Sequence, residues 1–194
     1  MDCTEEDMNA ALSVLRTGGV LLYPTDTVWG IGCDATDATA VARIFTIKQR
    51  AESKSLLVLA ADEKQVRDYT DETETVYAAA ARWMADGRET TFIYPHARRD
   101  LLATHLVAED GSVGVRITRE SFSNELCRRL GKPLVSTSAN ISGQPAPRTF
   151  AQIAPEVRQA MDYICLYRRE DESPKTPSRI IKLMNDGHDI VLRA

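Results

Sequence analysis

Short apolar runs and helically spaced apolar faces succeed one another along this chain, separated by polar turns that carry Gly and Pro. Val20, Leu21, Leu22 and Tyr23 follow Gly18 and Gly19 and stop at Pro24, which predicts a strand over 20–23 buried on both faces. Ahead of it, Met8, Ala11, Leu12 and Leu15 predict a helix that ends at Gly18, and Thr4 with Asp7 resembles a capping box in which Asp replaces Glu. Behind it, Asp37 can cap a helix with Ala38, Val41, Ala42, Ile44, Phe45 and Ile47 on one broad face. Strands are expected over 56–60, 91–94, 113–117, 134–137 and 163–167. Helices are expected around Val66 after Asp62, over 74–84, over 121–130, and over 150–161 with a break at Pro155. The runs 180–183 and 190–192 flank Asn185-Asp186-Gly187 and read as a hairpin. Residues 96–110 and the SANISGQPAP segment read as irregular, and 170–177 as a polar, lid-like loop. Mixed strands and helices without sustained βαβ alternation predict an α/β sheet that is not purely parallel, in one domain spanning 1–194.

Composition narrows the classes. With 27% charged residues, a net charge of -4 and a pI near 5.5, wholesale coating of nucleic acid is disfavoured, while a local basic groove is not. The pairs Arg98-Arg99, Arg128-Arg129 and Arg168-Arg169 read as solvated faces. The four cysteines lack C-x-x-C spacing and the three histidines lack ligand spacing, so no metal framework is expected; His96, His105 and His188 are read as solvated loop residues. No apolar run is long enough to cross a bilayer and no leader-like segment opens the chain, which predicts a cytoplasmic protein with reduced thiols and no membrane partner.

The chemistry gathers in four places. Thr25, Asp26 and Thr27 sit at the C-terminal end of the first strand, the edge where ligands bind in open α/β sheets, although an Asx or ST turn would use the same residues. Lys48, Arg50 and Lys54 fall between that strand and the next, which are expected to be neighbours, and three cations beside a hydroxyl loop suit a polyphosphate. Ser136-Thr137-Ser138-Ala139-Asn140-Ile141-Ser142-Gly143 makes a donor-rich rim at another strand end, or simply a long polar loop. Arg116 lies inside an apolar strand, where a guanidinium needs an internal carboxylate or a ligand anion. Gly30-Ile31-Gly32-Cys33-Asp34-Ala35 matches a loose dinucleotide pattern, but a loop separates it from the strand; a Walker loop, a G-x-S-x-G elbow and a marked nucleophilic cysteine are all missing.

YPTDTVWGIG, KQR with Lys54, VGVRIT, STSANISG and Ser178-Arg179-Ile180-Ile181 resemble, in this order, the motifs of the YrdC-like family, over nearly the whole chain. The resemblance implies a twisted mixed open sheet with flanking helices around a basic cavity. It implies an enzyme that joins L-threonine, bicarbonate and ATP, with Mg2+ on the phosphates, into threonylcarbamoyl-adenylate and pyrophosphate. That nucleotidyltransferase product would pass to a threonylcarbamoyl-transferase complex for t6A modification of tRNA adenosine 37. Carried over residue by residue, Lys48 and Arg50 are the catalytic cations; Thr27, Arg116, Ser136 and Ser178 contact threonine; Arg50, Lys54, Ser138, Asn140 and Arg193 hold the nucleotide. The chain departs from the family pattern at Ala51 and Ser55, at Leu59, and at Asp86-Gly87-Arg88. The alternatives are a non-catalytic YrdC-like module that binds tRNA or double-stranded RNA, and a paralogue that uses another acceptor.

Overall fold

The computed structural model describes residues 4–51, 56–173 and 176–194. Helix α1 (Glu5–Arg16) begins where Thr4 Oγ1 accepts the Asp7 amide at 3.1 Å. The other half of the expected capping box does not form. Asp is one methylene shorter than the Glu of that motif, and the buried Asp7 carboxylate instead accepts the Tyr163 hydroxyl at 2.7 Å and the Leu166 and Tyr167 amides at 2.9 Å. Helices α2 (Ala38–Lys48) and α3 (Glu63–Tyr69) are capped by Asp37 and Asp62. They are followed by α4 (Glu74–Met84), α5 (Ser121–Leu130) and α6 (Pro155–Gln159). The helix expected over 150–161 is split into a 3-10 turn, Phe150–Gln152, and α6.

The strands are β1 (Leu21–Tyr23), β2 (Gly30–Gly32), β3 (Leu57–Ala60), β4 (Thr90–Tyr94), β5 (Val113–Ile117), β6 (Leu134–Ser138), β7 (Tyr163–Ile164), β8 (Arg179–Lys182) and β9 (Ile190–Arg193). They form one nine-stranded mixed sheet in the order β7-β1-β2-β6-β3-β5-β4-β8-β9. Pairs β1/β7, β3/β5 and β4/β8 are parallel and the others antiparallel. Strand β7 is shorter than expected because the Leu166 and Tyr167 amides go to Asp7 rather than to a neighbouring strand. Strands β1 and β3, expected to be neighbours, are separated by β2 and β6. β2 takes the place of the suspected dinucleotide loop. Its Gly32 is required because a Cβ there would stand 2.3 Å from Val135 O and 2.6 Å from the Tyr23 ring.

Alternation along the strands sorts the core into two layers. Leu22, Ile31, Val58, Val115, Val135 and Ile181 pack with α2, α3 and α4, while Leu21, Tyr23, Leu59 and Leu134 pack with Met8, Leu12 and Leu15 of α1 and Phe122 and Leu126 of α5. Each such side chain, fully buried, stabilises the fold by about 1.5–3 kcal/mol before entropy is counted. Helices α1 and α5 cover only part of the second face. The rest is bare: Leu57, two residues before Leu59, opens onto a cavity whose floor is completed by its register partner Ser136, by Gly30 opposite Ser138, and by Gly114 and Lys182 opposite Ile93. No helix among the described residues is long and apolar enough to cross a membrane.

Candidate active site

The cavity encloses about 830 Å³, a volume that suits a small-molecule ligand. At one end stands the loop after β1. Thr25 Oγ1 donates to Val28 O at 2.7 Å and accepts the Thr27 amide at 3.2 Å, a Thr-centred turn that leaves Thr25 and Thr27 on the cavity wall. Asp26 between them turns inward. Its carboxylate accepts the Arg119 and Glu120 amides at 2.8 and 2.7 Å and the Thr118 hydroxyl at 2.7 Å, and it faces Arg116 Nε at 3.6 Å. Both side chains of this ion pair are only 4% exposed. Asp26 is thus the internal anion that Arg116 needs. The distance is too long for a hydrogen bond, and Arg116 Nε has no hydrogen-bond partner. Since Arg116 also lines the cavity, an anionic ligand group would complete its surroundings.

The end of α2 separates the two cations expected there. Gln49 caps the helix in the left-handed region, φ 49°, and the Arg50 amide returns to Phe45 O at 3.0 Å, so the chain turns between them. Arg50 reaches the cavity wall. Lys48 does not: it is buried, and its ammonium donates to Ser138 O and Asn140 O at 2.5 and 2.7 Å. Of the two cations expected to be catalytic, only Arg50 is on the cavity wall; the buried stem of Lys48 delivers its charge to the backbone carbonyls of Ser138, at the end of β6, and of Asn140 in the loop that follows. Burial, with a smaller contribution from Arg50, lowers the pKa of Lys48 to about 8, so it is the ammonium at neutral pH. Asn140 is likewise absent from the lining; its amide donates to Ile141 O and Gln144 O and shapes the same turn.

The far wall comes from β4, β8 and β9. Ser178 Oγ and Thr91 Oγ1 are 2.9 Å apart, and Arg193 Nε donates to Ser178 O at 2.8 Å. Arg193, like Arg50, is lowered in pKa by burial, and in Arg193 the charge of Arg116 adds to the effect. Lys182 pairs with Asp110 at 2.9 Å on this wall. Among the charged residues lining the cavity, Arg50, Arg116, Lys182 and Arg193 outnumber Glu109 and Asp110, and such an excess draws anions.

Of the site residues expected from sequence, Thr27, Arg50, Arg116, Ser136, Ser138, Ser178 and Arg193 line this one cavity. Lys54 lies outside the described residues, as does Ser55. Sequence reasoning missed Thr91, Lys182 and Asp110 as wall residues and Asp26 as the holder of Arg116; the position of Asp26 inside the hydroxyl loop was the available signal. The expectation of solvated arginine pairs holds for Arg98-Arg99 and Arg128-Arg129, which are exposed, and fails for Arg168-Arg169, which are half-buried. Arg129 is bound by Glu5 and Glu125, Arg128 by Glu125 and Arg168 by Asp171, while Arg169 donates to backbone carbonyls. His105 is half-buried against Phe45, ring centroids 5.6 Å apart, rather than solvated. Two departures from the family pattern have structural places: Leu59 is buried under α5, and Asp86 pairs with Arg179 at 2.7 Å.

Fold and site define a mixed-sheet protein with a cationic, hydroxyl-rimmed cavity and no glycine-rich phosphate loop. The chain belongs to the Sua5/YciO/YrdC family, whose model, described as "Telomere recombination", matches residues 13–194. It is 34% identical over 184 residues, 91% of this chain and 93% of the relative, to a protein of Idiomarina loihiensis named threonylcarbamoyl-AMP synthase. A protein of Klebsiella pneumoniae with the same name is 37% identical over 150 residues, 74% of this chain and 75% of its own. Among solved structures, P. abyssi Sua5 complexed with L-threonine superposes with a TM-score of 0.82 at 25% identity; it is matched by all of this chain, which spans 55% of that longer one. E. coli YciO superposes with a TM-score of 0.84 at 22% identity over 99% of this chain and 90% of its own, a likeness of fold.

Proposed function

We propose that this cavity forms threonylcarbamoyl-adenylate from L-threonine, bicarbonate and ATP, releasing pyrophosphate, and that the adenylate serves t6A modification of tRNA adenosine 37 through a threonylcarbamoyl-transferase complex. The observation that carries the reading is the meeting of Arg50, Arg116 and Arg193 with the hydroxyls of Thr27, Ser136, Ser138 and Ser178 on one concave surface, in a chain whose relatives bear the synthase name. Threonine takes up bicarbonate on its amine with loss of water, and the resulting N-carboxylate attacks the α-phosphorus of ATP as pyrophosphate departs. Arg116, with Thr27, Ser136 and Ser178, holds the threonine end. Its ion pair with Asp26, made through Nε, orients the guanidinium, and its place on the cavity wall favours a carboxylate ligand.

Arg50, Arg193 and Ser138 face the nucleotide, with Lys54 as a further phosphate cation. Negative charge grows on the departing phosphates in the transition state, where fixed guanidinium groups stabilise it more than they stabilise the ground state. Lys48 and Asn140 act through the loop that carries Ser138. Mg2+ arrives on the phosphates, where it needs no dedicated protein cage. The test is to incubate pure protein with ATP, Mg2+, bicarbonate and each amino acid in turn and to detect new adenylates by mass. Threonylcarbamoyl-adenylate formed with threonine supports the reading; no adenylate, or one formed with another amino acid, overturns it.

A further inference from the structure

The proposed chemistry makes no use of the strap 165–173, which leaves β7 across the back of the loop 24–29. Its root is tied down twice: Asp7 accepts the Leu166 and Tyr167 amides at 2.9 Å, and the Tyr167 ring stacks on Phe122 with centroids 5.6 Å apart and planes at 17°. At its turn Arg168 adopts φ 59°, a left-handed conformation that a residue with a side chain rarely takes and that glycine takes freely. The retained side chain has several partners. Arg168 Nε and Nη2 both donate to Asp171 Oδ2, the first at 2.9 Å, while Nη1 lies 3.4 Å from Thr25 O and 3.7 Å from Glu120 Oε1. Glu120 caps α5 and gives its own amide to Asp26 at 2.7 Å. One guanidinium therefore spans the strap, the backbone of the hydroxyl loop and the junction that holds Asp26. The seam between Arg168 and Pro24, Thr27 and Trp29 leaves only about 10 Å³, scarcely room for one water.

We infer that Arg168 is a positioning residue: it clamps the loop 24–29 so that Thr27, and Arg116 through Asp26, keep their places at the threonine end of the cavity. The assignment to threonine rests on the function proposed above; the clamping does not. Arg168→Gly and Arg168→Asn both tolerate the left-handed backbone and remove the guanidinium. In both, amide hydrogen exchange over 24–30 should rise about tenfold while the urea midpoint stays near wild type. The KM for threonine should rise about tenfold, with kcat and the KM for ATP within about twofold. Arg168→Lys should not restore it, because a single ammonium cannot span three partners. Unchanged exchange over 24–30, faster exchange in the Gly variant alone, or equal rises in both KM values would overturn the inference. If the wild type makes no threonine adenylate, the proposed function fails, and the exchange measurement still decides the clamp.

Discussion

Replacing Asp26 by Ala should cost far more stability than its place in a loop suggests. The substitution removes the acceptor of the Arg119 and Glu120 amides and of the Thr118 hydroxyl, and leaves the Arg116 guanidinium without its internal anion. Breaking a buried ion pair from one side costs about 3–5 kcal/mol, because the remaining charge is stranded. Here both side chains are 4% exposed, so solvent screening offers little relief, but the separation of 3.6 Å exceeds a direct hydrogen bond. The lower end applies, about 3 kcal/mol against a typical total of about 5–15 kcal/mol. With a urea slope of about 2 kcal/mol per molar, the midpoint should fall by about 1.5 M. Removing both charges should recover part of the loss, since a buried pair exchanged for apolar groups is close to neutral. Asp26→Ala with Arg116→Met is therefore expected to be more stable than Asp26→Ala alone, measured as the coupling in a double-mutant cycle. A cost below about 1 kcal/mol for the single variant, or strict additivity, would refute the claim that Asp26 is the anion for Arg116.

Arg50→Ala should lower threonine- and bicarbonate-dependent pyrophosphate release by about a hundredfold or more while the circular dichroism stays native; unchanged release would remove Arg50 from the site. Lys48 titrates near 8 in the fold, below its ordinary 10.5, because burial and then Arg50 disfavour the ammonium. Between those values the unfolded chain holds more protons, so wild-type stability should rise with pH relative to Lys48→Met, and a flat difference from pH 7 to 10 contradicts the burial. Asp110 is held near 2 by the Ser112 hydroxyl first and then by Lys182. Its stabilisation is complete above the usual carboxylate range and lost as pH falls toward about 2, so the gap between wild type and Asp110→Asn should close over that acid window in pH-dependent unfolding.

Much of the fold was legible because local signals and tertiary burial agree. Asp37 and Asp62 cap the helices expected after them, and β5 and α5 occupy the ranges their apolar patterns mark. β2 was not legible: Gly-Ile-Gly offers no periodicity or strand propensity, and its reason lies in distant groups, the Tyr23 ring and the Val135 carbonyl that press against Gly32. Sheet order was hidden for the same reason, since nothing local to β1 or β3 says that β2 and β6 come between them. For the site, residue types were readable and directions were not. Lys48 and Arg50 are two apart in sequence, yet one left-handed residue sends them to two backbone carbonyls, those of Ser138 and Asn140, and to the cavity wall respectively. Asp7 read as a cap and proved to be the anchor of the strap 165–173, a contact some 160 residues away that no local pattern encodes.

The most direct measurement is a crystal structure of this protein grown with a non-hydrolysable ATP analogue, Mg2+ and L-threonine. Threonine carboxylate within hydrogen-bond distance of Arg116 and the triphosphate against Arg50 and Arg193, in the same cavity, is the predicted result. Nucleotide bound elsewhere on the molecule, or threonine away from Arg116, would contradict the account.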